Sequence, residues 1–151
     1  MGEKKDKKEN QGSRIRLSAP DLVNICIDRN EGGEISGRIY HCWDREAWEF
    51  SDIVRLLKEM ERLFDSIGFP QASTQARKLA GQGGVPRLRG EKVAEPEEVI
   101  AHSGKKGSFI TCVRFRQNAD WQGEITWKEK NISWSFHSTL EFLKRIDNAL
   151  D

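Results

Sequence analysis

Cysteine is scarce and scattered in this 151-residue chain: Cys26, Cys42 and Cys112 are odd in number and form no C-x-x-C pair. A disulfide framework or a zinc ribbon is therefore not expected. No apolar run approaches the roughly 18 residues of a membrane span. Met1, Gly2, Glu3 and Lys4 do not open a signal-peptide pattern. The expectation is a cytoplasmic chain with no membrane partner. An excess of one charge is lacking too. Against 25 basic residues stand 24 acidic ones, a formal net charge of +1, so no whole-molecule field steers the chain towards nucleic acid. Histidine occurs only at 41, 102 and 137, each in a different predicted element. No nucleophile–base spacing and no phosphate-loop pattern accompanies them. The sequence offers no catalytic residues, no metal ligands and no cofactor site, and an enzyme is not expected.

What is present is periodicity. Residues 1–13 hold no large apolar side chain after Met1 and read as a disordered tail. Val23, Ile25 and Ile27 then alternate with Asn24, Cys26 and Asp28, a strand pattern. Asn30, Glu31, Gly32 and Gly33 make a turn, Ile35, Gly37 and Ile39 mark a second strand, and a short third is expected over 47–50. From Ser51 the period changes. Ile53, Leu56, Leu57, Met60, Leu63, Phe64 and Ile67 predict an amphipathic helix with Ser51 as N-cap and Gly68 as its left-handed end.

Residues 71–107 are rich in glycine and poor in apolar side chains; they predict a linker with a short helix near 95–101. Residues 108–150 then repeat the first pattern. Phe109, Val113 and Phe115 belong to one strand, Trp121, Gly123, Ile125 and Trp127 to the next, and Ile132, Trp134 and Phe136 to a third. Ser138 is placed to cap a last helix.

A shift of 86 positions, Cys26 onto Cys112, lays 108–150 on 22–64 without a gap. It matches Gly37 with Gly123, Ile39 with Ile125, Trp48 with Trp134, Phe50 with Phe136, Leu57 with Leu143 and Lys58 with Lys144. The expected fold class is α+β: two β-β-β-α units, over 14–70 and 108–151, with antiparallel sheets, one helix each and a pseudo-twofold relation. One such unit makes a poor core alone, so the two are expected to share one. The alternating phase puts Ile25, Ile27, Ile39, Phe109, Val113, Phe115, Ile125, Trp127, Trp134 and Phe136 in that core. It puts Arg38, Tyr40, Arg114, Arg116, Glu124, Thr126, Lys128 and Ser133 on an open sheet face. Trp43 and Trp121, beside turns, are expected nearer the surface.

A platform for single strands needs aromatic faces for bases and cations along the backbone track. Arg114, Arg116, Lys128 and Arg38 are the candidate cations, and Tyr40 is the candidate stacking ring. Asp28, Glu49 and Glu124 dilute that face. Near-zero net charge suits the alternative, a protein-interaction module or a homo-oligomer that pairs with a partner chain through sheet edges or faces. Gly37 and Gly123, both in mid-strand, are expected at bends or close backbone approaches.

The run Val113, Arg114, Phe115, Arg116, Gln117, Asn118, then Gly123 to Thr126, then Phe136 to Leu143, resembles the PUR repeat and the wider Whirly-like group. That resemblance implies a duplicated strand-rich fold that binds single-stranded DNA or RNA on its sheets. The chain departs from the pattern in having three strands per unit rather than four, a less basic face, and Leu143 where the family has arginine. Residues 116–127, R-Q-N-x-x-W-Q-G-x-I-T-W, are also similar to a stretch in small bacterial proteins of no assigned activity.

Overall fold

The first run of strands meets the second along one seam, where β1 (Val23–Glu31) lies antiparallel to β4 (Gly107–Gln117). The structure is a computed structural model that describes residues 15–71, 92–117 and 120–150. The expected tail and residues 72–91 of the expected linker lie outside the described residues. β2 (Glu34–His41) and β3 (Asp44–Phe50) extend the sheet beside β1; β5 (Asp120–Trp127) and β6 (Ile132–Phe136) extend it beside β4. The result is one six-stranded antiparallel sheet in the order β3-β2-β1-β4-β5-β6. Three helices, α1 (Ile53–Ile67), α2 (Pro96–Ala101) and α3 (Thr139–Leu150), complete an α+β fold. None of them is long and apolar enough to cross a membrane.

The main core lies between the sheet and the helices α1 and α3. Ile25, Ile27, Ile39, Phe109, Val113 and Ile125 meet Leu56, Met60, Phe64, Phe142 and Ile146 there. The opposite face is covered over the sheet's centre. Leu22, Cys42, Ala94, Val99 and Ile110 form a second cluster, joined by Ile15, Leu17 and Ile100. Val23 through Ile27 are consequently buried without a break, the pattern of a strand with both faces covered. Residues 92–106, expected as linker, supply part of this cover: the Val93 and Ala94 amides donate to the Cys42 carbonyl at 2.8 and 3.0 Å.

Local signals mostly place the ends. Gly68 closes α1 at φ 70°, and the Ser138 hydroxyl accepts from Glu141 N at 3.1 Å. The cap of α1 is Asp52 rather than Ser51, because its carboxylate reaches Arg55 N at 2.8 Å. β3 starts at Asp44, three residues earlier than expected, with Trp48 Nε1 donating to Asp44 Oδ2 at 2.9 Å.

Of three register slips among the described residues, the one between Ile39 and His41 lies in the β2–β3 pair, and the other two occupy equivalent places in β1 and β4. One falls between Ile27 and Arg29 and the other between Val113 and Phe115, beside Gly37 and Gly123 on the neighbouring strands. A methyl at Gly37 would collide with the Cys26 carbonyl oxygen, and one at Gly123 with that of Cys112. Each bulge adds one residue to its strand and reverses the alternation beyond it. Phe115, expected in the core, is thereby 64 % exposed, and Arg116, expected on the open face, is 4 % exposed. Trp121 is 1 % exposed despite its place beside a turn, since Phe64 and Phe142 pack edge-on against it at 5.5 and 5.4 Å.

Candidate binding groove

Three of the five candidate nucleic-acid residues do lie together, but they grip the chain itself. Arg38 forks onto Asp28 through Nε and Nη2 at 2.9 and 3.1 Å, and reaches Tyr40 Oη at 2.6 Å and the Ser103 carbonyl at 3.1 Å. The Tyr40 ring is stacked on His102 at 3.6 Å with an interplanar angle of 2°. Lys128 Nζ donates to the carbonyls of Ile100 and His102, both at 2.7 Å, and to Ser103 Oγ at 3.0 Å. An ammonium on the last carbonyls of a helix satisfies groups that the helix cannot pair itself. Asn24 Nδ2 adds bonds to the Val99 and His102 carbonyls at 2.9 Å each. Together these side chains clamp α2 and the residues after it onto the sheet.

The two arginines of β4 are separated by the bulge. Arg116 points to the helix side, where Nε donates to the Pro70 carbonyl at 2.7 Å and Nη1 to Glu61 and Asp65 at 2.6 and 3.0 Å. Its guanidinium also lies over Phe64, 5.4 Å from the ring centre. Arg114 stays on the outer face and pairs with Glu124 at 2.8 Å, while Arg16 takes the other oxygen of the same carboxylate at 3.1 Å.

What the bulge exposes instead is Phe115, which lies beside Phe69 at the end of α1. Phe115 and Phe69 line a groove of about 900 Å³ whose other walls include Gln71, Arg114, Gln117 and Gln122. Both rings also border a smaller hollow of about 340 Å³, walled by Arg16, Ala19 and Pro20. Phe69 is 37 % exposed, and Gln71, Gln117 and Gln122 are exposed as well. Sequence reasoning missed Phe115 because alternation assigns it inward. The signal available was Gly123 in mid-strand, which marks a place where alternation can break.

The titratable groups inside the fold are built for packing. His41 is 1 % exposed, its Nδ1 accepts from Trp43 N at 3.1 Å, and burial pulls its imidazole down to about 4. Burial likewise pushes the Cys26 and Cys112 thiols up to about 11 and 12, far from the thiolate a nucleophile needs. Asp21 is fully buried beside Cys112 and accepts from Val113 N at 3.3 Å; desolvation pushes its carboxyl up to about 7. Among the described residues no three His, Cys, Asp or Glu side chains converge as metal ligands would.

No family model matches this sequence, and neither a curated protein nor a solved structure matches the chain.

Proposed function

We propose that this chain is a non-enzymatic binding module that takes an extended segment of a protein partner in the groove beside Phe115. The observation that carries this reading is the exposure of Phe115 and Phe69 along one groove, while the cations expected to meet phosphate are engaged within the fold. Large exposed aromatic rings in a concave site are the usual anchors of a protein interface. The side-chain amides of Gln71, Gln117 and Gln122 each offer a donor and an acceptor, which suits the alternating N–H and C=O groups of an extended peptide.

The organisation into two β-β-β-α units belongs to the same proposal. It is supported by the shift of 86 that relates Ile27 to Val113 and Gly37 to Gly123, the residues at the two bulges. The β1–β4 pairing also follows this shift: Val23↔Thr111 becomes Ile25↔Phe109, and Asn24↔Ile110 maps onto itself. The likeness to the PUR repeat rests on this organisation.

Single-stranded nucleic acid is the competing occupant. In its favour, Arg16 and Arg114 share the single carboxylate of Glu124 beside the two rings, with Asp120 as the acidic residue of the groove wall. Ionic strength separates the two: phosphate contacts release counterions and weaken steeply with salt, whereas an apolar peptide anchor hardly responds. The test is selection of a displayed random-peptide library on the full chain, in parallel with titration of a labelled single strand of about 20 nucleotides, long enough to span several bases. Peptides that bind the native chain and not Phe115→Ser support the reading. Enrichment of no peptide, or salt-sensitive capture of the strand, overturns it.

A further inference from the structure

We propose that β6 is a self-pairing edge, through which two copies of this chain join their sheets into one. Among the described residues both β3 and β6 end the sheet with no strand on their outer side. An unpaired edge invites another strand, and natural sheets blunt it with charge. β3 is blunted in this way: Asp44, Arg45, Glu46 and Glu49 are four of its seven residues. β6, Ile132–Phe136, reads I-S-W-S-F and carries no charge and no proline.

The occupant follows from the order of those residues. The strand is nearly palindromic about Trp134. In an antiparallel pair centred there, Trp134 faces Trp134 of the second copy, each Ser133 faces a Ser135, and each Ile132 faces a Phe136. Apolar side chains then meet apolar ones on the helix side, and hydroxyls meet hydroxyls on the other. A twofold interface demands this self-complementarity, since the same patch must serve both partners. Directly opposed residues in such a pair lie about 5 Å apart, within reach for two indole rings to pack. No other strand of the sheet combines an unpaired edge with a sequence that reads alike in both directions.

The helix above the edge is consistent with a copy beyond it. The Arg145 guanidinium lies over the Trp134 ring at 5.2 Å, and its buried Nε has no hydrogen-bond partner among the described residues. Glu141 stands one turn before Arg145 on α3 and accepts from His137 N at 2.6 Å, just beyond the end of β6. This inference is independent of the groove beside Phe115, which lies on β4, β5 and the end of α1.

Sedimentation equilibrium of the full chain tests it. The expected mass is that of two chains at tens of micromolar. Ser135→Lys should shift it to that of one chain, because Ser135 is exposed and the lysine would have to sit against the buried Ser133–Thr126 pair of the other copy. Glu49→Lys, on the other edge, should leave the dimer intact. Circular dichroism verifies that each variant folds, and Ser135→Glu replaces Ser135→Lys if that one does not. A wild-type chain of single mass, or a dimer that persists in a folded Ser135 variant, overturns the proposal. So does a dimer broken by Glu49→Lys.

Discussion

Arg116 of β4 donates to Glu61 of α1 at 2.6 Å, and this contact ties the second run of strands to the first helix. It is part of a small network around a buried guanidinium. Arg116 also holds Asp65 and the Pro70 carbonyl, and Glu61 in turn accepts from Trp121 Nε1. A guanidinium whose side chain is only 2 % exposed has no access to water, so its partners replace hydration.

Removing Arg116 should therefore cost more stability than removing Arg114. Arg116→Ala takes the cation from Glu61 and Asp65, which are themselves 31 % and 45 % exposed, and leaves the Pro70 carbonyl unmet, a loss of about 1–3 kcal/mol. Arg114→Ala, at an exposed pair with Glu124, should cost under about 1 kcal/mol. Urea denaturation of both variants checks the contrast; equal midpoints would contradict the burial of Arg116.

The bulge glycines should be intolerant of any side chain. Gly37→Ala and Gly123→Ala place a methyl against the carbonyl oxygens of Cys26 and Cys112. Each is expected to lower stability by about 1–3 kcal/mol, the usual cost of forcing atoms into a filled site. Thermal melts measure it, and an unchanged midpoint would show that the strands can separate there without cost.

Two buried groups should titrate in opposition. The folded carboxyl of Asp21 is raised from 3.8 to about 7, so its stabilising contribution is complete below about pH 4 and is lost as pH rises through 7. The folded imidazole of His41 is lowered from 6.5 to about 4, so its contribution is complete above 6.5 and is lost as pH falls through 4. Each spans a few kcal/mol by the usual conversion. Asp21→Asn should raise stability at pH 8 and leave a profile that falls more steeply towards acid. Chemical denaturation from pH 4 to 8 reads this directly, and a variant profile parallel to the native one would contradict it.

The clamp on α2 should be local. Lys128→Met removes three donated bonds, to the Ile100 and His102 carbonyls and to Ser103 Oγ. Unmet carbonyls cost about 1–3 kcal/mol where they are buried. Faster hydrogen exchange should appear at the amides of Glu98 and Val99, which donate to the Glu95 carbonyl, and not at Phe109 or Ile125 in the sheet. Uniform loss of protection would mean that Lys128 supports the whole fold.

The strands and both long helices are legible in the sequence because each obeys one period along most of its length. Ile25, Ile39 and Val113 needed only alternation, and Leu56, Met60 and Phe64 only the helical repeat. The face assignment fails where alternation breaks: a single extra residue between Val113 and Phe115 exchanges the faces of Phe115 and Arg116. The roles of Arg38, Tyr40 and Lys128 were hidden for another reason. Their partners, His102, Ser103 and the carbonyls of α2, lie in a stretch too short and too polar to announce that it packs. Long-range contacts of that kind leave no local pattern. Thr126 and Ser133, placed by alternation on the open face, are likewise buried.

The most direct measurement is a nuclear magnetic resonance titration of the labelled chain with a peptide recovered by selection. The expected result is a set of shifted amides confined to residues 68, 69, 71, 114–117, 120 and 122, which line the groove with Phe69 and Phe115. Shifts centred instead on Arg38, Tyr40 and Lys128, with the groove unmoved, would contradict the proposed site.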